Sequence, residues 1–134
     1  MDYRKYEGDS PEKLLSLYES VGWTNYTLRP EMLRQAYAHS LFALAAYEGE
    51  ALIGVVRLVG DGASILYVQD LLVRPEYQRR GIGSELLRRA LAQFPQVYQT
   101  VLLTDDTEKT RAFYQAMGLT DAVEAGCRAF VRFQ

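Results

Sequence analysis

The chain of 134 residues has one cysteine, Cys127, and one histidine, His39. A disulfide needs two cysteines and a Cys/His zinc site needs three or four ligands, so neither forms within one chain and no metal is expected. Long apolar runs are also missing. The longest, such as Leu41–Tyr47, fall far short of the ~20 residues that cross a bilayer. The N-terminal stretch MDYRKYEGDSPEK is charged and lacks the apolar centre of a signal peptide, so a cytoplasmic protein with no membrane partner is expected. There are no repeats, linkers or low-complexity segments, and residues 1–134 are expected to form a single domain. What is present is 49% hydrophobic content, enough for a core, and a net charge of -2. Against that acidic total, Arg74, Arg79, Arg80, Arg88 and Arg89 lie close together with only Glu76 and Glu85 among them. Such a patch suits a small anionic ligand better than a nucleic-acid track.

Local signals give an order of elements. Ser10-Pro11-Glu12 and Arg29-Pro30-Glu31 each place a proline and an acid at a helix start, and Gly22 closes the first helix. Leu41–Tyr47 and Ala51–Gly60 flank Glu48-Gly49-Glu50 as a hairpin, and Asp61-Gly62 makes the next turn. Ser64–Val73 is apolar on both faces, as a central strand is. A helix from Ser84 to Phe94, a strand in QVYQTVLLT, a helix from about Thr107 to Met117 and a closing alternation in GCRAFVRFQ follow. The expected fold is α+β, of the α/β sandwich type. Its central sheet is mixed, mostly antiparallel and flanked by helices, in the order β-α-α-β-β-β-α-β-α-β-β.

Between the central strand and the helix lies PEYQRRGIGSELL. A helix start leaves backbone N–H groups without partners, and with the macrodipole these seat an anion. Gly81 and Gly83 let the backbone come close, and Gln78, Arg79 and Arg80 add donors and charge. No Gly-Lys-Ser/Thr follows, and Leu86 stands where a dinucleotide fingerprint needs its third glycine, so neither of those phosphate motifs applies. The plain alternative is a glycine turn with solvated arginines.

Gln78-Arg79-Arg80-Gly81-Ile82-Gly83 resembles the Q/R-x-x-G-x-G/A signature of the GNAT superfamily of acyl-CoA-dependent N-acetyltransferases, and RAFYQAMGL resembles its F-Y-x-x-x-G-F/L segment at Phe113, Tyr114, Gly118 and Leu119. The element order is similar over nearly the whole chain. The resemblance implies a GNAT-like fold with acetyl-CoA as co-substrate. It implies that the backbone of Gln78, Arg79, Arg80, Gly81, Ile82, Gly83 and Ser84 holds the pyrophosphate. It further implies that Leu71, Leu72 and Val73 pair with the pantetheine arm, and that Tyr114 adjoins the cofactor. Thr107 stands where the family often has an asparagine that helps hold the pantetheine.

Acetyl transfer to an amine needs a neutral nucleophile, an oxyanion donor and a proton for the departing thiolate. Asp70 is the first candidate base, because it interrupts an apolar strand on the face expected for Leu66, Val68 and Leu72, and burial raises a carboxylate's pKa. A carboxylate that only satisfies nearby N–H groups is the competing reading. Asp105, Asp106 and His39 are weaker candidates. The oxyanion donor is expected to be the Leu72 N–H, and the acid Tyr114. Cys127 is expected to be structural in a late strand. Tyr18, Trp23, Tyr26 and Tyr37 make either an aromatic pocket for the amine or core. The acceptor is a small-molecule or protein amine, and a homodimer is left open. The rival function is a non-catalytic acyl-CoA-binding or regulatory module with the same fold.

Overall fold

The computed structural model describes residues 1–134, which fall into two compact units, Met1–Leu103 and Thr104–Gln134. The first carries a five-stranded sheet whose spatial order is the chain order: β1 Asp2–Lys5, β2 Phe42–Glu48, β3 Ala51–Gly60, β4 Ile65–Val73 and β5 Gln99–Leu102. β1 to β4 are antiparallel and β5 joins β4 in parallel. This is the mixed, mostly antiparallel α+β sheet that the periodicities predict.

The turns follow from local chemistry. Asp61 Oδ1 accepts the backbone N–H groups of Ala63 and Ser64, both at 2.8 Å, and of Ile65 at 3.1 Å, which closes the β3–β4 hairpin. Gly60, at φ 126, admits no side chain there, since a Cβ would stand 2.5 Å from the Ile65 carbonyl oxygen.

Helix α1 (Pro11–Ser20), the single turn α2 (Thr24–Thr27) and α3 (Pro30–Ala38) cover one face of the sheet. Leu14, Leu17, Tyr18, Tyr26 and Leu33 pack there on Ala43, Ala45, Tyr47, Val55 and Leu72. Helix α4 (Ile82–Leu91) buries Ile82, Leu86, Leu87 and Ala90 on the other face, where Leu86 comes so near Gly54 that a Cβ at that position would sit 3.2 Å from it. No helix is long and apolar enough to cross a membrane.

In the second unit, α5 (Glu108–Ala116) starts at Thr107, whose Oγ1 accepts the Thr110 N–H at 3.2 Å, and ends in a left-handed Gly118 with the Leu119 N–H bonded to the Tyr114 carbonyl at 3.0 Å. Gly118 stands just past Met117, where the sequence ends this helix.

Three expectations need correction. The turn α2 is additional, and α4 begins two residues before Ser84 and stops at Leu91. The two closing strands are not formed, and GCRAFVRFQ has no regular structure. Alternation makes a strand only where a neighbour supplies the ladder, and Phe130 and Phe133 stay 88% and 85% exposed. Cys127 is therefore exposed rather than packed within a strand.

Candidate functional site

The site is organised by an irregularity in β4. Arg57 stands opposite Asp70, but the next residue of β3, Leu58, stands opposite Val68, so Gln69 is the extra residue of a bulge. Directly opposed residues share a face. Asp70 and Leu72 thus lie on the α1–α3 face with Arg57, while Val68 and Leu66 lie on the α4 face. The single face expected for Leu66, Val68, Asp70 and Leu72 is split, because one inserted residue turns the strand over.

Asp70 is 3% exposed and Arg57 5%. Arg57 Nε donates to Asp70 Oδ2 at 2.8 Å, Tyr18 Oη to the same oxygen at 2.9 Å, and Tyr26 Oη to Oδ1 at 3.1 Å. With its proton spent on Asp70, Tyr18 accepts from Tyr37 Oη at 2.6 Å. Burial, reinforced by the Asp70 charge, holds the Tyr18 and Tyr26 hydroxyls above their usual range. Burial alone would weaken the Arg57 cation, yet the Asp70 charge and hydrogen bond outweigh it and leave Arg57 more basic than usual. Asp70 is accordingly a caged acceptor, too deep for a substrate amine to touch.

Of the aromatic residues proposed for an amine pocket, Tyr18 and Tyr26 are buried, whereas Trp23 and Tyr37 are half-buried and Tyr37 lines a cavity beside Tyr6, Leu14 and Leu33. Tyr18 lies edge-on to Trp23, Tyr26 and Tyr37 at 5.8, 5.1 and 6.3 Å between ring centres. The core alternative holds for Tyr18 and Tyr26.

Beyond the bulge, β4 changes character on its other edge. β5 pairs with Ile65–Val68 only, so Gln69–Val73, including Leu71, Leu72 and Val73, has β3 on one side and no strand on the other. The chain then runs through a 3₁₀ turn, Pro75–Tyr77, into the loop before α4. Gln78 Nε2 donates to the Val73 carbonyl at 3.0 Å and ties the loop to the strand end. Arg79, at φ 65, and Gly81, at φ 79, are both left-handed, a region that a bulky side chain rarely adopts. Gly81 caps α4 without a side chain, which leaves the first-turn N–H groups of Ile82, Gly83 and Ser84 with no side-chain acceptor.

The arginine cluster is sorted by its contacts. Arg74 donates to the Leu52 carbonyl and to Ser16, and Arg88 and Arg89 pair with Glu85. Arg79 and Arg80 are exposed and outside these pairs, with Arg80 stacked over the Tyr77 ring at 4.9 Å. The two cations left at the mouth of α4 are those beside its open N–H groups.

In the second unit, Tyr114 is half-buried and packs edge-on to Phe113 at 5.0 Å. Burial, helped by the Asp105 charge, raises its pKa and keeps the phenol protonated at neutral pH. Thr107 spends its hydroxyl as the α5 cap, and Asp105 and Asp106 are exposed at the helix entrance. His39 ends α3.

Sequence reasoning missed Arg57. A lone arginine inside ALIGVVRLVG was the available signal, but a hairpin register without the bulge sets it against Gln69.

The comparisons with known proteins agree with this geometry. A sequence profile described as Acetyltransferase (GNAT) family matches residues 9–119. A GNAT family acetyltransferase from Streptococcus pneumoniae TIGR4 is 44% identical, with a TM-score of 0.90 over 99% of this chain and 97% of that one. An uncharacterized N-acetyltransferase, ycf52-like, from Prochlorococcus marinus is 29% identical over 114 residues, 81% of this chain. The chain spans 61% of that protein's length, and 40% of a second curated relative from Gibberella zeae. At 19% identity and a TM-score of 0.72, over 86% of each chain, an N-acetyltransferase from Thermoplasma acidophilum in complex with coenzyme A shares the fold.

Proposed function

Because the chain belongs to the GNAT acetyltransferase family, we propose that it is an acetyl-CoA-dependent N-acetyltransferase acting on a primary amine by direct attack in a ternary complex, with residues 1–134 working as one cytoplasmic domain. The observation that carries this reading is a continuity. The strand edge left open beyond Val68 leads through Arg79 and Arg80 into the uncapped first turn of α4.

The donor set fits the ligand. A pantetheine arm carries amides that pair with the Leu71–Val73 backbone as a strand would, and a pyrophosphate takes backbone N–H groups, a helix dipole and two guanidinium charges. The Thermoplasma protein of the same fold is in complex with coenzyme A, which supports CoA as the ligand class.

Acetyl-CoA supplies a thioester whose carbonyl an amine attacks and whose thiolate departs. The Arg74 N–H donates to the Ile53 carbonyl, so by the antiparallel alternation Leu72 also faces β3, and the N–H groups at the open edge are those of Leu71 and Val73. One of these, rather than the Leu72 N–H expected from the sequence, is assigned to the carbonyl oxygen as negative charge grows on it. Tyr114 is assigned to the proton that the thiolate takes up. Its raised pKa means that placement, not acidity, makes it effective. Asp70 is assigned a positioning role. Locked to Arg57, it pins the bulge that turns Leu71–Val73 toward the open edge, and the attacking amine gives its proton to solvent.

The test is release of free thiol from acetyl-CoA by the purified protein with a panel of aryl, alkyl and peptide amines, the product identified by its added acetyl mass. Amine-dependent release supports the enzyme. Tight acetyl-CoA binding with no release across the panel supports the non-catalytic module instead.

A further inference from the structure

Gln69 is the extra residue of the β4 bulge and the first residue beyond the stretch that pairs with β5. It is exposed, although it sits in an otherwise apolar strand between buried Val68 and buried Asp70. A bulge re-aims a side chain. Here the amide Nε2 lies 3.5 Å from Tyr26 Oη, a long hydrogen bond that joins Gln69 to the cage around Asp70.

That cage decides which end of the amide faces outward. Asp70, paired with Arg57, only accepts, so Tyr26 spends its single proton on Asp70 Oδ1 at 3.1 Å. Tyr26 Oη can then only accept from its other neighbours, and it takes Arg57 Nη2 at 3.3 Å and Gln69 Nε2. With the amide turned over, two oxygens would meet with no proton between them. The Gln69 carbonyl oxygen, Oε1, is therefore held away from Tyr26 and left free to accept, at the head of the open edge.

The next step rests on the acetyl-CoA reading above. Pyrophosphate, pantetheine arm and thioester follow one another along that molecule. With the pyrophosphate at Gln78–Ser84 and the arm along Leu71–Val73, the thioester comes last, beside Gln69. We propose that Gln69 Oε1 holds the attacking amine, accepting one of its N–H groups while the nitrogen lone pair faces the thioester carbon. As the N–C bond forms, the nitrogen gains positive charge, so its hydrogen bond to Oε1 becomes charge-assisted and is stronger in the transition state than before it. An amide does not take the proton. The nitrogen gives it to solvent, and as the C–S bond breaks the thiolate takes its own from Tyr114. Tyr26 is the positioning residue, since it keeps the amide turned with its oxygen outward.

Gln69→Met keeps the length of the side chain and removes the acceptor, whereas Gln69→Glu keeps an acceptor oxygen. The residue is exposed, so both variants are expected to melt near the wild type. Calorimetry measures acetyl-CoA binding, and thiol release measures turnover with benzylamine, butylamine and a lysine-containing peptide. Expected are an unchanged Kd for acetyl-CoA in both variants, a kcat lowered about 10- to 100-fold in Gln69→Met, and recovery of most of that loss in Gln69→Glu at neutral pH. Wild-type kcat in Gln69→Met, a Gln69→Glu as slow as Gln69→Met, or a Kd for acetyl-CoA that rises in step with the lost turnover overturns this assignment and leaves the acetyltransferase reading standing. A wild type that releases thiol with none of these amines overturns both.

Discussion

Arg57 Nε lies 2.8 Å from Asp70 Oδ2 across the β3–β4 pair, with both side chains almost wholly buried. Asp70→Asn leaves a guanidinium without its counter-charge, and the expected loss is about 3–5 kcal/mol. Arg57→Met/Asp70→Leu recovers part of this, though Tyr18 and Tyr26 then lose their acceptor. Urea denaturation of the two variants measures both losses, and near-wild-type stability of Asp70→Asn contradicts the cage.

Tyr6 is the one buried side chain whose hydroxyl has no hydrogen-bond partner. Tyr6→Phe removes a desolvated group that bonds nothing. Stability at pH 7 is expected to hold or rise by roughly 1 kcal/mol, as read from the denaturation midpoint.

The buried phenols also set a pH dependence. Burial pushes the Tyr6 hydroxyl up to about 12, and those of Tyr18, Tyr26 and Tyr37 move upward as well. Below about pH 10 both states are protonated. Above it the unfolded chain releases protons that the folded chain retains, so the unfolded state binds fewer and stability falls as pH rises toward 12. Denaturation midpoints across that range are expected to drop, and by less in Tyr6→Phe. A flat profile contradicts the assignment.

Tyr114→Phe deletes the proposed acid and little else. The expected result is a fall in kcat of about 10²- to 10⁴-fold with acetyl-CoA affinity nearly unchanged. Normal turnover removes Tyr114 from the mechanism.

Arg79→Ala and Arg80→Ala are each expected to raise the KM for acetyl-CoA and to make it less sensitive to salt, because exposed charges act through a screened field. A KM indifferent to both residues and to ionic strength assigns them to solvent.

Much of this was legible in the sequence because it rests on local chemistry. Pro11 and Pro30 mark helix starts, Asp61 marks a turn, Gly118 marks a helix end, and Gly81 announces the loop before α4. Each of these residues acts within its own few neighbours. The Arg57–Asp70 pairing was not legible, because one extra residue at Gln69 decides the register of the hairpin and nothing in its side chain signals a bulge. Without that shift Asp70 reads as a base on an apolar face. With it, Asp70 is a buried anchor. The closing strands were overread for a related reason: alternation in GCRAFVRFQ is a local property, whereas a strand exists only with a partner.

The most direct test is calorimetric titration of acetyl-CoA into the wild-type protein and into Gly81→Glu. A Cβ at Gly81 meets no atom within 4 Å, so the substitution creates no clash, although the left-handed backbone is expected to cost about 1–2 kcal/mol. What it adds is a carboxylate at the helix mouth where the pyrophosphate is proposed to sit. Saturable binding by the wild type that is lost in a cooperatively folded Gly81→Glu is the predicted result. Equal binding by both, or binding by neither, contradicts the assignment of this loop to CoA.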